Sequence, residues 1–274
     1  MKICVINGSR WIEDFHDAWW AMLRENFRRV LRPDTVVEMR SPERGLQGDR
    51  IADFSNEYFA LLNRSAMIEQ IIAAEREGFD AAVVAVGDDS GVREARSAVR
   101  IPVIGPGEAA MHLACQLGRR FAAIVANMPD TGLIGLIEDR IREYGLQDRT
   151  IPNGVRFDVH DFSETWEKGF SNPGFVAEGV RRGAEQLVRD GADVIVVLCC
   201  GIGPFCTAAG MSPIRIGSRA IPVLDAMTVG VKTAEMVADL GKGLGFSFTS
   251  AAIPSEEDLQ RVRRGCGVEG SGRA

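Results

Sequence analysis

No apolar run in the 274-residue chain approaches the roughly twenty residues that carry a helix across a bilayer, so no membrane partner is expected. Nucleotide and metal motifs are missing as well. No G-x-G-x-x-G follows a strand-like segment, and neither G-x-x-x-x-G-K-S/T nor H-E-x-x-H occurs, so no cofactor and no metal are expected. Positive charge is in short supply. Against 38 Asp and Glu there are 32 Lys and Arg, and the net charge of −6 gives no general attraction to nucleic acid. The six cysteines, at 4, 115, 199, 200, 206 and 266, lack the paired spacing of a zinc site. The opening MKICVINGSR reads as a strand and loop rather than a secretory signal. Free thiols in a cytoplasmic protein that handles a small molecule are therefore expected.

What the chain does have is one stretch around which the rest is organised, Gly191 to Pro204, GADVIVVLCCGIGP. Val194 to Leu198 is rich in β-branched residues and reads as a strand buried on both faces. It runs into Cys199 and Cys200, then turns through Gly201, Ile202, Gly203 and Pro204. Groups at the carboxyl end of a parallel strand face the crevice where open α/β sheets bind ligands. A thiol there, beside glycines that admit a ligand to the backbone, is a candidate acid, base or nucleophile. Cys206 reads as structural.

The same pattern is written twice. Residues 78–88, GFDAAVVAVGD, parallel residues 191–201, GADVIVVLCCG, and superposing Asp80 on Asp193 sets Gly87 opposite Cys200. Ile101-Pro102-Val103 then matches Ile221-Pro222-Val223, and Leu117-Gly118 matches Leu240-Gly241. KICVIN ending at Asn7 resembles AAIVAN ending at Asn127. This self-similarity predicts an α/β fold of two pseudo-symmetric lobes, each a mostly parallel sheet flanked by helices, with the active site between them. Lobe one takes residues 1–118, completed by the C-terminal segment 225–274, and lobe two takes 119–224.

The matching loops supply further candidates. Asn7-Gly8-Ser9 and the stretch from Asn127 to Thr131 follow the first strand of each half and offer polar side chains and backbone N–H groups. Gly87-Asp88-Asp89-Ser90 ends the first copy of the organising strand. Its adjacent carboxylates can accept a proton, orient a polar ligand or cap the next helix. His112 and His160 read as packed or surface residues, and residues 150–174 as an irregular connection. The loop SPERGLQG at 41–48 could cover a cleft, though nothing in it requires that. Helices are expected over Trp11–Leu31 and within Ile51–Glu77.

In this order the segments resemble the aspartate/glutamate racemase superfamily, most of all its hydantoin/allantoin racemase branch. The likeness lies in the Asn7-ending strand, EGFDAAVV with its Gly-Asp turn, IPVIGPGEAA, EYGL, GADVIVVLCCG and IPVLDA, and covers most of the chain. It implies two α/β lobes, self-association into a homo-oligomer, and cofactor-free proton transfer at a carbon beside a carbonyl. One cysteine per lobe is implied, each working on an opposite face of the substrate. The second-lobe cysteine falls on Cys200, or on Cys199 after a one-residue shift. The first is missing: the repeat puts Gly87 there, and alignment through the Gly-Asp turn puts Ala85.

A single thiol facing a glycine also resembles arylmalonate decarboxylase, in which one cysteine protonates an enediolate from one face. Asp88 and Asp89 stand where that enzyme has hydroxyls for a leaving carboxylate. Two carboxylates about 4 Å apart repel by about 4 kcal/mol at a surface-like dielectric, so the pair better suits a substrate with N–H groups, such as a hydantoin ring. The expectation is proton transfer through an enolate, with Cys200 as catalytic thiol and Asp88 or Asp89 as second base. Backbone N–H groups around Gly87–Ser90 and Gly201–Gly203 would hold the oxyanion. Asn7, Ser90, Asn127, Thr131, Cys199, Gly201 and Ile202 complete the expected binding set. A lyase with one-sided reprotonation and a non-catalytic binding module are the alternatives.

Overall fold

The computed structural model describes residues 1–48, 53, 54, 56–128 and 131–267. The first of its two main sheets holds β1 (Lys2–Asn7), β2 (Val36–Arg40), β3 (Ala81–Ala85) and β4 (Val103–Ile104), in the order β2-β1-β3-β4. The second holds β5 (Phe121–Asn127), β6 (Thr150–Asp161), β7 (Val194–Val197) and β10 (Val223–Asp225), in the order β10-β7-β5-β6. A short antiparallel pair, β8 (Ile214–Ile216) and β9 (Arg219–Ile221), precedes β10. All pairings within the two main sheets are parallel. Taken from its opposite edge, the second sheet repeats the first, with β6, β5, β7 and β10 standing for β2, β1, β3 and β4. Every residue of β3 and β7 is buried, because helices cover both faces, and this is why both strands read as unbroken apolar runs.

The helices are α1 (Phe15–Arg28), α2 (Glu57–Arg76), α3 (Val92–Ala95), α4 (Pro106–Leu117), α5 (Leu133–Glu143), α6 (Phe162–Gly169), α7 (Pro173–Arg189), α8 (Gly203–Ala208), α9 (Ala226–Leu244) and α10 (Glu256–Gly265). Two of them trade places. Helix α9 follows a strand of the second sheet, yet its Met227, Val231, Ala234 and Ala238 pack with Ile3, Val5, Ala81 and Val83 of the first. Helix α4 follows a strand of the first sheet, and its Ala110, Met111 and Ala114 pack with Phe121, Val125, Val194 and Val196 of the second. The sequence division at 118 put α4 with lobe one; by packing it belongs to lobe two. The two helices touch where Gly230 meets Pro106, a contact so close that a β-carbon on Gly230 would sit 3.1 Å from Pro106 Cα.

Residues 150–174 are not irregular. They form β6, α6 and the start of α7. Pro152-Asn153-Gly154 forms a bulge within β6: Asn153 has φ 51°, and the β5–β6 register shifts beside it. The helix expected from Trp11 starts at Phe15 behind Asp14, which forms a capping box with Asp17. Ile51 and Ala52, at the start of the next expected helix, lie outside the described residues, as do Pro129 and Asp130 of the loop before Thr131. Among the described residues no helix is long and apolar enough to cross a membrane.

Candidate active site

The carboxyl ends of β1, β3, β5 and β7 open onto one cleft of about 620 Å³ between the lobes. On the lobe-one wall, Asn7 Nδ2 donates to Ser9 O at 3.0 Å and to Ser41 Oγ at 3.1 Å. That bond ties the strand-end loop to the 41–48 segment, whose Gly48 also lines the cleft. His16 on α1 sits behind Ser9 and was not singled out from sequence. Its Nδ1 lies 2.7 Å from Ile12 N and 3.2 Å from Ile12 O, and its Nε2 is 3.3 Å from Ser9 Oγ. Burial lowers the His16 pKa and favours the neutral ring.

The two adjacent aspartates part company. Asp88 lines the cleft and accepts from Ser90 Oγ at 2.5 Å, and Ser90 lines the cleft with it. Arg140, on α5 of the other lobe, donates through Nε to Asp88 O at 2.9 Å and so holds this loop from across the cleft. Asp89 is turned away and is 4% exposed. Its Oδ1 accepts from Gly107 N at 2.9 Å, and its Oδ2 from Glu108 N at 2.6 Å and Tyr144 OH at 2.7 Å. Burial lifts this carboxyl to about 7, against those three donors. Asp89 therefore caps α4 and does not stand in the cleft as the expected second base.

Gly87 sits where the lobes pack tightly against each other. A β-carbon there would lie 1.8 Å from Leu198 O, so no side chain fits while the backbone stays in place. The sulfur missing from the repeat has no room at this position. Ala85 lies at the end of β3 beside Asn7 and borders the cleft.

In lobe two, Cys199 and Cys200 both border the cleft but face different ways. Cys200 packs in the apolar cluster of the first lobe, together with Ala85, Trp19 and Trp166. Cys199 packs against the core of the second. Burial raises the Cys200 thiol well above its ordinary value. It pushes Cys199 up to about 12, opposed by the N–H groups of Gly201 and Ile202. Of the N–H groups expected to hold an oxyanion, those of Ile202 and Gly203 are spent on Cys199 O, each at 2.9 Å. The Asp89 N–H is spent on Val86 O. Among the described residues, the Gly87, Asp88 and Cys200 N–H groups have no such acceptor.

Gly201 borders the cleft under an aromatic wall, where an added β-carbon would meet Trp166 at 2.9 Å and Phe162 at 3.2 Å. Both rings come from α6, the segment taken from sequence as a mere connection. Thr131 borders the cleft and donates to Met128 O at 2.6 Å. Asn127 and Ile202 do not border it: Asn127 pairs with Asp161 in the sheet, and Ile202 is fully buried in the second lobe's core.

Residues 21–234 match the protein family described as Asp/Glu/Hydantoin racemase. The chain belongs to that family. It is an enzyme, and the isomerase class fits it. It is 31% identical over 248 residues to a hydantoin racemase from Pseudomonas sp. (strain NS671), covering 88% of each chain. Two solved structures share its fold. An allantoin racemase from Pseudomonas fluorescens has a TM-score of 0.69 at 24% identity, over 93% of this chain and 99% of that one. One from Klebsiella pneumoniae also has a TM-score of 0.69, at 22% identity, over 93% and 94%.

Proposed function

We propose that the enzyme interconverts the enantiomers of a hydantoin-type ring by moving one proton at the carbon beside a ring carbonyl, through an enolate. The carrying observation is that Cys200, a lobe-two residue, reaches into the apolar cluster of lobe one beside Ala85, while Asp88 and Ser90 stand on the lobe-one wall. Its raised pKa keeps Cys200 as the neutral thiol, the form that gives a proton to a carbanion.

In one direction the Asp88 carboxylate takes the ring proton as the C–H electron pair moves into the enolate. Cys200 then delivers its own proton to the other face, leaving a thiolate and a protonated Asp88 that reset by exchange with water. The Gly87, Asp88 and Cys200 N–H groups hold the developing oxyanion. The Asn7–Ser9–His16 set orients the ring's polar edge. Ring N–H groups suit a wall that carries Asp88.

The test is a single enantiomer of a 5-substituted hydantoin in deuterium oxide, followed by optical rotation and by mass. Loss of rotation with gain of one deuterium supports the reading. A new product overturns it in favour of a lyase, and absence of exchange overturns it altogether. Cys200→Ala is expected to lower turnover by about 10²–10⁴-fold, the range for one general acid or base. Asp88→Asn is expected to fall in the same range, whereas Cys199→Ala should stay far closer to the parent.

A further inference from the structure

Arg64 on α2 is the one lysine or arginine among the described residues that border the cleft. Its Nε is buried without an acceptor, and among the described residues no carboxylate pairs with its guanidinium. This sets it apart from its neighbours. Arg76, three turns further along the same helix, pairs with Glu256 at 2.6 Å, Arg263 pairs with Glu69 at 2.5 Å, and Arg96 pairs with Glu108 at 2.7 Å. Taking a guanidinium part-way out of water without a counter-ion is unfavourable, and such a group is retained where something binds it.

Its placement is fixed. The preceding residue, Asn63, donates to Gly8 O at 2.7 Å and accepts from Leu46 N at 3.0 Å, which pins this turn of α2 to the lobe-one loops. The aliphatic stem of Arg64 lies against Gly91, just past Ser90, where an added β-carbon would meet Cβ and Cγ at 3.7 Å. The carboxylates that border the same cleft are otherwise engaged or apart. Asp88 accepts from Ser90, Asp139 pairs with Arg142, and Glu57 lies exposed in the first turn of α2.

We infer that Arg64 receives a carboxylate carried on the substrate's ring substituent, so that the preferred substrate is a hydantoin bearing an acidic side chain. The inference rests on the hydantoin reading and adds the substituent's chemistry to it. A guanidinium fork matches a carboxylate through two parallel N–H···O bonds, which an amide of the same shape cannot reproduce with charge.

The experiment compares kcat/KM for 5-(2-carboxyethyl)hydantoin and 5-(2-carbamoylethyl)hydantoin in the parent enzyme, Arg64→Met and Arg64→Lys. The parent is expected to favour the carboxylate by about ten- to a hundredfold, the worth of a charged hydrogen-bonded contact. Arg64→Met should erase that preference mainly through KM, and Arg64→Lys should restore part of it. A parent that favours the amide, or an unchanged ratio in folded Arg64→Met, overturns the inference. If neither compound is racemised, the functional reading fails, and thermal stabilisation by the carboxylated hydantoin still judges Arg64. Stabilisation of the parent but not of Arg64→Met keeps the anion site; equal or absent stabilisation removes it.

Discussion

After the first sheet's β4, α4 begins at Gly105, which has no side chain to offer, and the carboxylate at its first turn comes from Asp89 in the loop after β3. After the second sheet's β10, α9 begins at Asp225, which supplies its own carboxylate to Met227 N, Thr228 Oγ1 and Thr207 Oγ1. The glycine has moved to the loop. A β-carbon on Gly203 would meet Asp225 Oδ1 at 2.5 Å, just as one on Gly105 would meet Asp89 Cγ at 2.5 Å. Each half thus needs one buried carboxylate and one glycine at this spot, and the two halves assign them to opposite partners. The requirement belongs to the fold, and the loops differ because of how each half meets it. Lobe two keeps its loop free to carry thiols, whereas lobe one spends Asp89 on the helix and leaves Asp88 as the loop carboxylate in the cleft.

The comparison breaks most sharply at Gly87. Gly87→Ala is expected to destabilise by about 3 kcal/mol or more in urea titrations, because backbone rather than a flexible side chain blocks the new carbon. Ala85→Cys, two residues earlier, should cost only about 1–3 kcal/mol and raise racemisation, by giving lobe one the sulfur it lacks. Parental stability for Gly87→Ala would show that the lobes can part there.

Asp89→Ala is next in size. It leaves Tyr144 OH and two backbone N–H groups without their acceptor, an expected loss of about 2–4 kcal/mol. The double exchange Asp89→Gly with Gly105→Asp should recover more than half of it. Gly105 already has φ −87° and ψ 122°, close to the −81° and 111° of Asp225, and Asp89 sits at φ 56°, where glycine is at ease. A double variant no more stable than Asp89→Ala would show that the halves are not interchangeable in this respect.

The mildest perturbation is a change of pH. The buried Asp89 carboxyl, lifted to about 7 from an ordinary 3.8, binds its proton more tightly in the folded chain than in the unfolded one. Its contribution is therefore full below about pH 4 and is lost as pH rises through about 7. The stability difference between the parent and Asp89→Asn should shrink over that window, measured by urea midpoints at several pH values. Parallel profiles would show that the carboxyl is not displaced.

Much of the architecture is legible because the signal is local and repeated. Two continuous β-branched runs, each ending in a glycine-containing loop, announce buried parallel strands, and their duplication announces two lobes with a cleft between. That Asn7, Asp88, Cys199 and Cys200 border the cleft follows from their strand-end positions alone. Asp89 does not, since its direction depends on a φ of 56° and on donors 18, 19 and 55 residues away. Phe162 and Trp166 of the aromatic wall lie on α6, inside the 150–174 stretch that reads as an irregular connection. His16 and Arg64 lie on helices, where nothing local distinguishes a cleft-facing polar residue from a solvated one.

The exchange of α4 and α9 between the sheets carries a further consequence. A polypeptide cut near residue 118 yields two pieces, each with a helix whose apolar face was made for the other's strands. Neither piece can dry its own interior, so the two lobes are expected to unfold together despite the two-lobed outline. Such cross-stitching ties the two walls of the cleft to each other through α4 and α9.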